Sequence, residues 1–381
     1  MRNCDLTLLI IVLILAGVGI IFVYSSSAII ANDELHDSYY YLKRQIVWFI
    51  IGIILMRIFM NAEYDRLRKS GPLLLLVSIA LLVLVLVPGI GKTIGGATRW
   101  IKISSFTLQP SELAKLACIL YAADSLTRKQ AVIGNFFRSL LPHLIIIGAL
   151  FALLLLQPDF GTAIVIFCVI FVMCFISGIR LTHLFLPVLI ALPFICVLVT
   201  KVGYRHKRIL AFIDPWKYEK GSGFQIIQSF IALGSGGLFG SGLTESKQKL
   251  FFLPNPFTDF IFAVIGEELG FIGVCLIILL FIVLLYKGMN IALQSKDMFY
   301  KLLAVGVTSL IGIEAIINIG VNVGLLPTKG TTLPFISYGG SSLIFKFACI
   351  GILLNVSGKL TQAKACDYHV AAPFKVRKRG I

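Results

Sequence analysis

The chain has 381 residues, of which 58% are hydrophobic and only 14% charged, a composition that excludes an ordinary soluble domain and points to a polytopic membrane protein. A formal net charge of +16 would suggest nucleic acid in a soluble protein. Here the cations sit in loops between apolar runs, so lipid headgroups, anionic substrates and topology account for them and no nucleic-acid partner is expected. The cysteines (Cys4, Cys118, Cys168, Cys174, Cys196, Cys275, Cys349 and Cys366) lie mostly singly inside apolar segments without metal-ligand spacing. They read as small buried hydrophobes, with no disulfide framework and no metal site.

Taken in order, the chain predicts ten apolar spans, at about 6–30, 45–61, 71–88, 109–126, 142–157, 161–179, 182–201, 259–286, 299–324 and 338–357. The first is too long for a signal-peptide core and ends in YSSSAII, so it reads as a retained span. Loop charge orients the array. With the N-terminus inside, Arg66, Arg68, Lys69, Arg128, Lys129, Arg138, Arg180, Lys287, Lys296 and the KVRKR tail at 375–379 are cytoplasmic. Both termini then lie inside, and the loops at 31–44, 89–108, 157–161, 202–258 and 325–337 lie outside. The expected organisation is a single integral-membrane domain over 1–381, with a long outer loop at 202–258 and a basic cytoplasmic tail at 358–381. The fold class is an all-α polytopic membrane protein.

The outer loop GIGKTIGGATRWIKISSFTL places Arg99 and Trp100 just after Gly95, Gly96 and Ala97. Arginine binds phosphate bidentately and tryptophan favours the interface; an anchoring belt explains Trp100 fully and Arg99 partly. In QPSELAKL, Pro110 suits a helix start, and Glu112 and Lys115 share a face at i, i+3, an intramembrane ion pair lining a cavity. KVGYRHKRI sets Lys201, Arg205, Lys207 and Arg208 against the charge rule. Long translocated loops tolerate such charge, and a cation cluster at the outer face equally suits a phosphate-bearing lipid.

Further on, GFQIIQSFIAL predicts a short interfacial helix with Phe224, Ile227, Phe230 and Ile231 on one face, half sunk in headgroups, and Gln225, Gln228 and Ser229 elsewhere. GSGGLFGSG, with five glycines in nine residues, lacks the lysine of a phosphate loop and reads as a hinge or a close-packing turn. Next comes LPNPFTDFIFAVIGEELGF at 253–271, with Asp259 at the mouth of an apolar helix and Glu267 and Glu268 about two turns inside. Ionisable residues at membrane depth are functional candidates. Asp259 is equally readable as a first-turn cap stabilised by the helix dipole. Near the end, GLLPTKGTTLPFISYGGSSL puts Lys329 and a Ser-Tyr-Gly-Gly-Ser-Ser run, with Ser341, between two spans. Irregular backbone at that depth persists only where it is buried in protein or lines a watery cavity. Glu314, in the span before it, is another buried acid. Together these groups predict an outward-facing polar cavity with few carboxylates among many cations, which suits an anionic lipid and a base acting on a neutral hydroxyl.

These motifs resemble the SEDS family of bacterial cell-wall polymerases, the shape, elongation, division and sporulation proteins, over nearly the full length. The resemblance rests on GATRWI, QPSELAKL, RILAFIDPW followed by GSGFQIIQS, GSGGLFGSGL followed by SKQKLFFLP, TDFIFAVIGEELG and PTKGTTLPFISYGGSS. The PTKG form is closer to the division branch than to the elongation branch. The resemblance implies a ten-span glycosyltransferase that polymerises lipid II at the outer face of the cytoplasmic membrane, for septal synthesis. It implies work with a class B penicillin-binding protein transpeptidase and other divisome membrane proteins. It implies that Asp259 is the essential carboxylate, that Lys329 contacts substrate, that Arg99 and Trp100 line the cavity, and that Glu112 and Lys115 form a structural pair. Arg205, Arg208 and Ser341 join the expected substrate-binding residues, and Glu267 and Glu268 are secondary acid candidates. No cofactor is required by this reading, though a divalent cation (Mg or Mn) is a candidate partner for pyrophosphate charge. One departure is Asn255-Pro256-Phe257 where relatives often carry a Glu and a His before TDFIF, so no histidine relay operates there. A lipid II flippase is the alternative reading, and a division scaffold a third.

Overall fold

The computed structural model describes residues 4–94, 96–103, 106–201, 203–250 and 252–371, with backbone alone at 94, 103, 191–192, 194–201, 203–206 and 362–371. A helix lies over most of each of the ten expected apolar segments, with ends that differ by a few residues: α1 (Leu6–Leu35), α2 (Tyr40–Met60), α3 (Tyr64–Val85), α4 (Pro110–Arg128), α5 (Leu141–Leu156), α6 (Phe160–Ile176), α7 (Leu181–Lys201), α10 (Ile261–Gln294), α11 (Met298–Asn322) and α12 (Gly340–Ala371). Two more, α8 (Gly203–Ile213) and α9 (Phe224–Ser235), lie in the expected long loop. Among the described residues, six helices are long and apolar enough to cross a membrane by length and composition, and the protein is multi-pass.

The all-α expectation needs a correction over 89–108. This loop is a three-stranded antiparallel meander of β1 (Gly91–Ile94), β2 (Ala97–Ile103) and β3 (Phe106–Leu108). Ile94 pairs with Ala97 across a two-residue connection, and Gly96 takes φ of +78° there. That geometry is the reason a glycine stands in a tight hairpin turn.

Helix starts follow local chemistry. Asp5 caps α1 through Leu8 N, Asp159 caps α6 through Thr162 N, and Asp297 caps α11 through Tyr300 N. The closest helix pairings are α2 with α12, α3 with α4, and α10 with α11. Burial separates centre from periphery. The apolar windows of α11 and α12 are 72% and 78% buried, against 28% for α3 and α10. α11 and α12 therefore form the middle of the bundle, and α10 turns Ile272, Leu276, Leu279 and Tyr286 outward.

α10 is two helices in one line. Gly270 has φ 68° and ψ −167°, which breaks the hydrogen-bond ladder. The 236–242 turn repairs the break in both directions. Ser241 N and Gly242 N donate to the Glu267 and Glu268 carbonyls, while Phe271 N and Ile272 N donate to Gly237 O and Leu238 O. The glycine-rich segment is thus a close-packing turn: a side chain on Gly240 or Gly270 would meet backbone within 2.3 Å. The first piece, 261–268, is buried on every side.

α9 forms as expected but packs on a different face. Ile226, Ile227, Ser229 and Ala232 are buried, Ser229 Oγ donates to Asn322 O, and Ile231 faces outward. The predicted face was apolar, but the helix lies against α10 and α11, so protein rather than headgroups takes the buried side.

Candidate active site

Asp259 lies one residue before the N-cap of α10, in a turn opened by Asn255 at φ 55°. The two readings of its carboxylate separate here. Phe260 is the N-cap and makes no side-chain capping bond; the capping acceptor comes from another helix, with Ala263 N donating to Asn322 Oδ1 at 3.2 Å. Asp259 is held instead by its backbone. Its carbonyl accepts from Asn318 Nδ2 at 2.9 Å and Asn322 Nδ2 at 3.1 Å, two side chains one turn apart on α11.

The 324–339 segment closes over this turn. Asn318 Nδ2 also donates to Thr331 O at 2.6 Å, Tyr338 N to Phe257 O at 2.9 Å and Ser337 Oγ to Thr258 O at 2.5 Å. A side chain on Gly330 would place Cβ 3.1 Å from Asp259 Oδ2, so glycine lets this loop lie against the carboxylate. Three successive carbonyls, 257 to 259, are therefore tied down, and the Asp259 residue itself is half-buried.

Two arginines act on it. Burial pushes the Asp259 carboxyl up to about 6, against the pull of Arg208 and Arg99. Arg208, exposed on α8, donates from Nη1 to Thr328 O at 3.2 Å. Arg99, on β2, donates to the carbonyls of Gln157 and Pro158 and approaches Asp159 Oδ1 at 3.9 Å. Much of its guanidinium is thus engaged in holding the 157–159 turn. Trp100 is half-buried opposite Lys92 in the hairpin. Lys329 turns into the bundle, its stem across Gly161, where a Cβ would sit 2.3 Å from Cε. Burial draws its ammonium down to about 8, against the carboxylates of Asp159 and Glu314. The Arg205 side chain lies outside the described residues, as does the tail beyond 371.

Ser341 is tied into the scaffold: it accepts from Gln109 N at 3.0 Å and donates to Thr107 O at 3.2 Å, joining α12 to β3 and α4. The Glu112–Lys115 pair forms at 2.6 Å and belongs to a closed ring. Lys115 reaches Glu314 at 2.5 Å, and Lys346 reaches Glu314 at 2.7 Å and Glu112 at 3.1 Å, every member at most 7% exposed. Two acids and two bases cancel, which is what makes such burial tolerable. Glu267 accepts from Ser246 Oγ, Lys247 N and Gln248 N; Glu268 pairs with Lys249 at 2.8 Å and accepts from Ser25 Oγ at 2.6 Å. Both anchor the 244–253 segment.

Asn318, Asn322, Lys346, Asp159 and Lys249 did not stand out in the sequence reading. The signal that could have found Asn318, Asn322 and Lys346 is polar chemistry at helical spacing inside an apolar run. Among the described residues no three His, Cys, Asp or Glu side chains converge, and Asp259 has arginines for neighbours. That donor set does not suit Mg or Mn held by protein alone.

The Cell cycle protein family FTSW_RODA_SPOVE matches residues 6–362. The Probable peptidoglycan glycosyltransferase FtsW of Geobacter sp. (strain M18) is 46% identical over 94% of this chain and 98% of its own length. Stage V sporulation protein E of Bacillus subtilis (strain 168) is 48% identical over 93% and 96%. Among solved structures, a chain from a peptidoglycan synthase complex that coordinates polymerization and crosslinking superposes with TM-score 0.78 at 30% identity, covering 95% of this chain and 100% of that one. The rod shape determining protein RodA of Thermus thermophilus superposes with TM-score 0.67 at 28% identity, over 93% and 97%.

Proposed function

Because the chain belongs to the FTSW_RODA_SPOVE cell cycle protein family, we propose that it is a peptidoglycan glycosyltransferase that polymerises lipid II at the outer face of the cytoplasmic membrane, for septal wall synthesis. One observation carries the assignment of Asp259 as general base. Its carbonyl is held by two asparagines of α11, the carbonyl before it by Ser337, and its carboxylate is not spent on capping the helix it precedes. Asp259 takes the proton from the C4 hydroxyl of the acceptor N-acetylglucosamine. That oxygen attacks the anomeric carbon of the donor muramyl sugar, and undecaprenyl pyrophosphate leaves.

A carboxyl raised to about 6 suits this work: it is ionised at neutral pH yet more basic than a solvated aspartate. The cations divide the remaining tasks. Arg208 meets the pyrophosphate, Arg99 holds the 157–159 turn and lends its charge, and Lys329 adds positive potential from the bundle side. Trp100 and Ser341 complete the surrounding wall, and Arg205 enters this reading by its charge alone. The ring of Glu112, Lys115, Glu314 and Lys346 is the neutral structural base beneath. No step runs through a metal ion. Basic loops at the far end support cytoplasmic termini, and the likeness to a synthase-complex chain supports a class B penicillin-binding protein as partner, with other divisome membrane proteins.

The test is the purified protein with labelled lipid II, with and without that partner. Glycan polymer is expected. Translocation without polymer would mean a flippase, and neither would mean a scaffold. In the same assay kcat/KM should rise as pH passes through about 6, because only the carboxylate accepts the proton. A flat profile from pH 5 to 7 removes Asp259 from the role of base.

A further inference from the structure

The turn between α1 and α2 carries two groups of aromatic rings, one of which leads to the candidate active site. Tyr39 stacks on Tyr24 with centroids 5.4 Å apart and planes 8° from parallel. Tyr40 meets Tyr41 edge-on at 5.2 Å, and the Arg44 guanidinium lies 4.5 Å above the Tyr40 ring. Tyr41 then touches Phe257 at 4.6 Å and Tyr338 at 5.1 Å. Phe257 is two residues from Asp259 and shares its stitched backbone, since Phe257 O accepts from Tyr338 N. Next to this run in sequence, Tyr39 is open to the outside, 52% exposed. Polar groups border it, including the exposed Lys43–Asp37 pair at 2.9 Å and Ser38 bonded to Asn32.

An interfacial belt explains tyrosines at a helix start, each acting alone. It does not explain why the rings of Tyr40 and Tyr41 touch and continue to the Asp259 turn, with the Tyr24–Tyr39 stack beside them in the same turn. An acyl chain would find the apolar faces but not use the charged and hydroxyl border. A sugar uses both: its C–H face packs on an aromatic ring, and its hydroxyls need donors and acceptors at the edge. A polymerase also has to keep hold of its product between additions. We propose that Tyr39, Tyr40 and Tyr41, with Arg44, form a saccharide-binding subsite that holds the glycan chain beside the reaction centre. This rests on the polymerase reading above.

Two measurements on the full chain in lipid nanodiscs test it. With lipid II as substrate, Tyr39→Ala and Tyr40→Ala should shorten glycan strands about fivefold, the loss of one aromatic contact of ordinary strength, at an unchanged initial rate of lipid II consumption. Tyr39→Phe, which keeps the ring, should give parental lengths. Parental lengths from both alanine variants would make the tyrosines a membrane belt and overturn the subsite. Binding of soluble chitotetraose, followed by saturation-transfer NMR, needs no catalysis. It should be present in the parental protein and in Tyr39→Phe, and weakened in Tyr39→Ala. No binding to the parental protein overturns the subsite, whereas absence of polymer from a parental protein that binds the sugar overturns the polymerase reading instead.

Discussion

Asp259 and Glu268 stand nine positions apart on one segment, both acids at the edge of the same helix, and the structure treats them oppositely. Glu268 is paired with Lys249 and bonded by Ser25, its side chain fully buried. Glu267 beside it is held by Ser246 and the amides of 247 and 248. Asp259 is gripped by its carbonyl, and its carboxylate looks out among cations behind a glycine. An acid whose charge is consumed by close partners is a fastener. One whose backbone is consumed and whose charge is spared is equipped to take up a proton.

The sharpest way to break this contrast is Asp259→Asn. Size and backbone bonds survive, so thermal stability should match the parent while lipid II polymerisation falls by about 10²–10⁴-fold, the range of a lost general base. Polymer formation near the parental rate would move the base elsewhere. Glu268→Ala should show the reverse signature, a fall of about 3–5 kcal/mol in stability from a stranded buried lysine. A double Glu268→Leu, Lys249→Met variant should recover most of the thermal midpoint, because it removes both charges; a midpoint left low in the double variant would mean the pair does more than neutralise itself. Gly330→Ala is the finest probe. The new Cβ sits 3.1 Å from Asp259 Oδ2, so the carboxylate has to give by a few tenths of an ångström. About tenfold slower polymerisation at parental stability is expected, since small misplacements of a reacting group are costly. An unchanged rate would show that the carboxylate adjusts freely.

Much of this was legible beforehand where one physical signal dominated. Long apolar runs place helices, and each of the ten runs holds one. Asp259, Arg99 and Lys329 were visible as charges or motif residues; Arg99 and Arg208 act on the Asp259 carboxylate, whereas the Lys329 side chain turns away towards Gly161, Asp159 and Glu314. The misses come from competing signals. The hairpin at 91–103 carries Gly95-Gly96 between strand-forming residues, but its polar character suggested only a loop. In α9 the periodicity identified a helix without saying which apolar side meets protein and which meets lipid. Asn318, Asn322 and Lys346 take their meaning from neighbours distant in sequence, which spacing along one chain does not reveal.

The break at Gly270 has a mechanical consequence. Four backbone hydrogen bonds cross between the 236–242 turn and the two pieces of α10, where an unbroken helix would have kept them to itself. The short piece 261–269 is therefore a separate lever, latched at its inner end by a loop and at its outer end by Asn318, Asn322 and the 331–338 segment. Pulling on the turn tugs the lever that positions Asp259, while the long piece of α10 has its own purchase on the bundle.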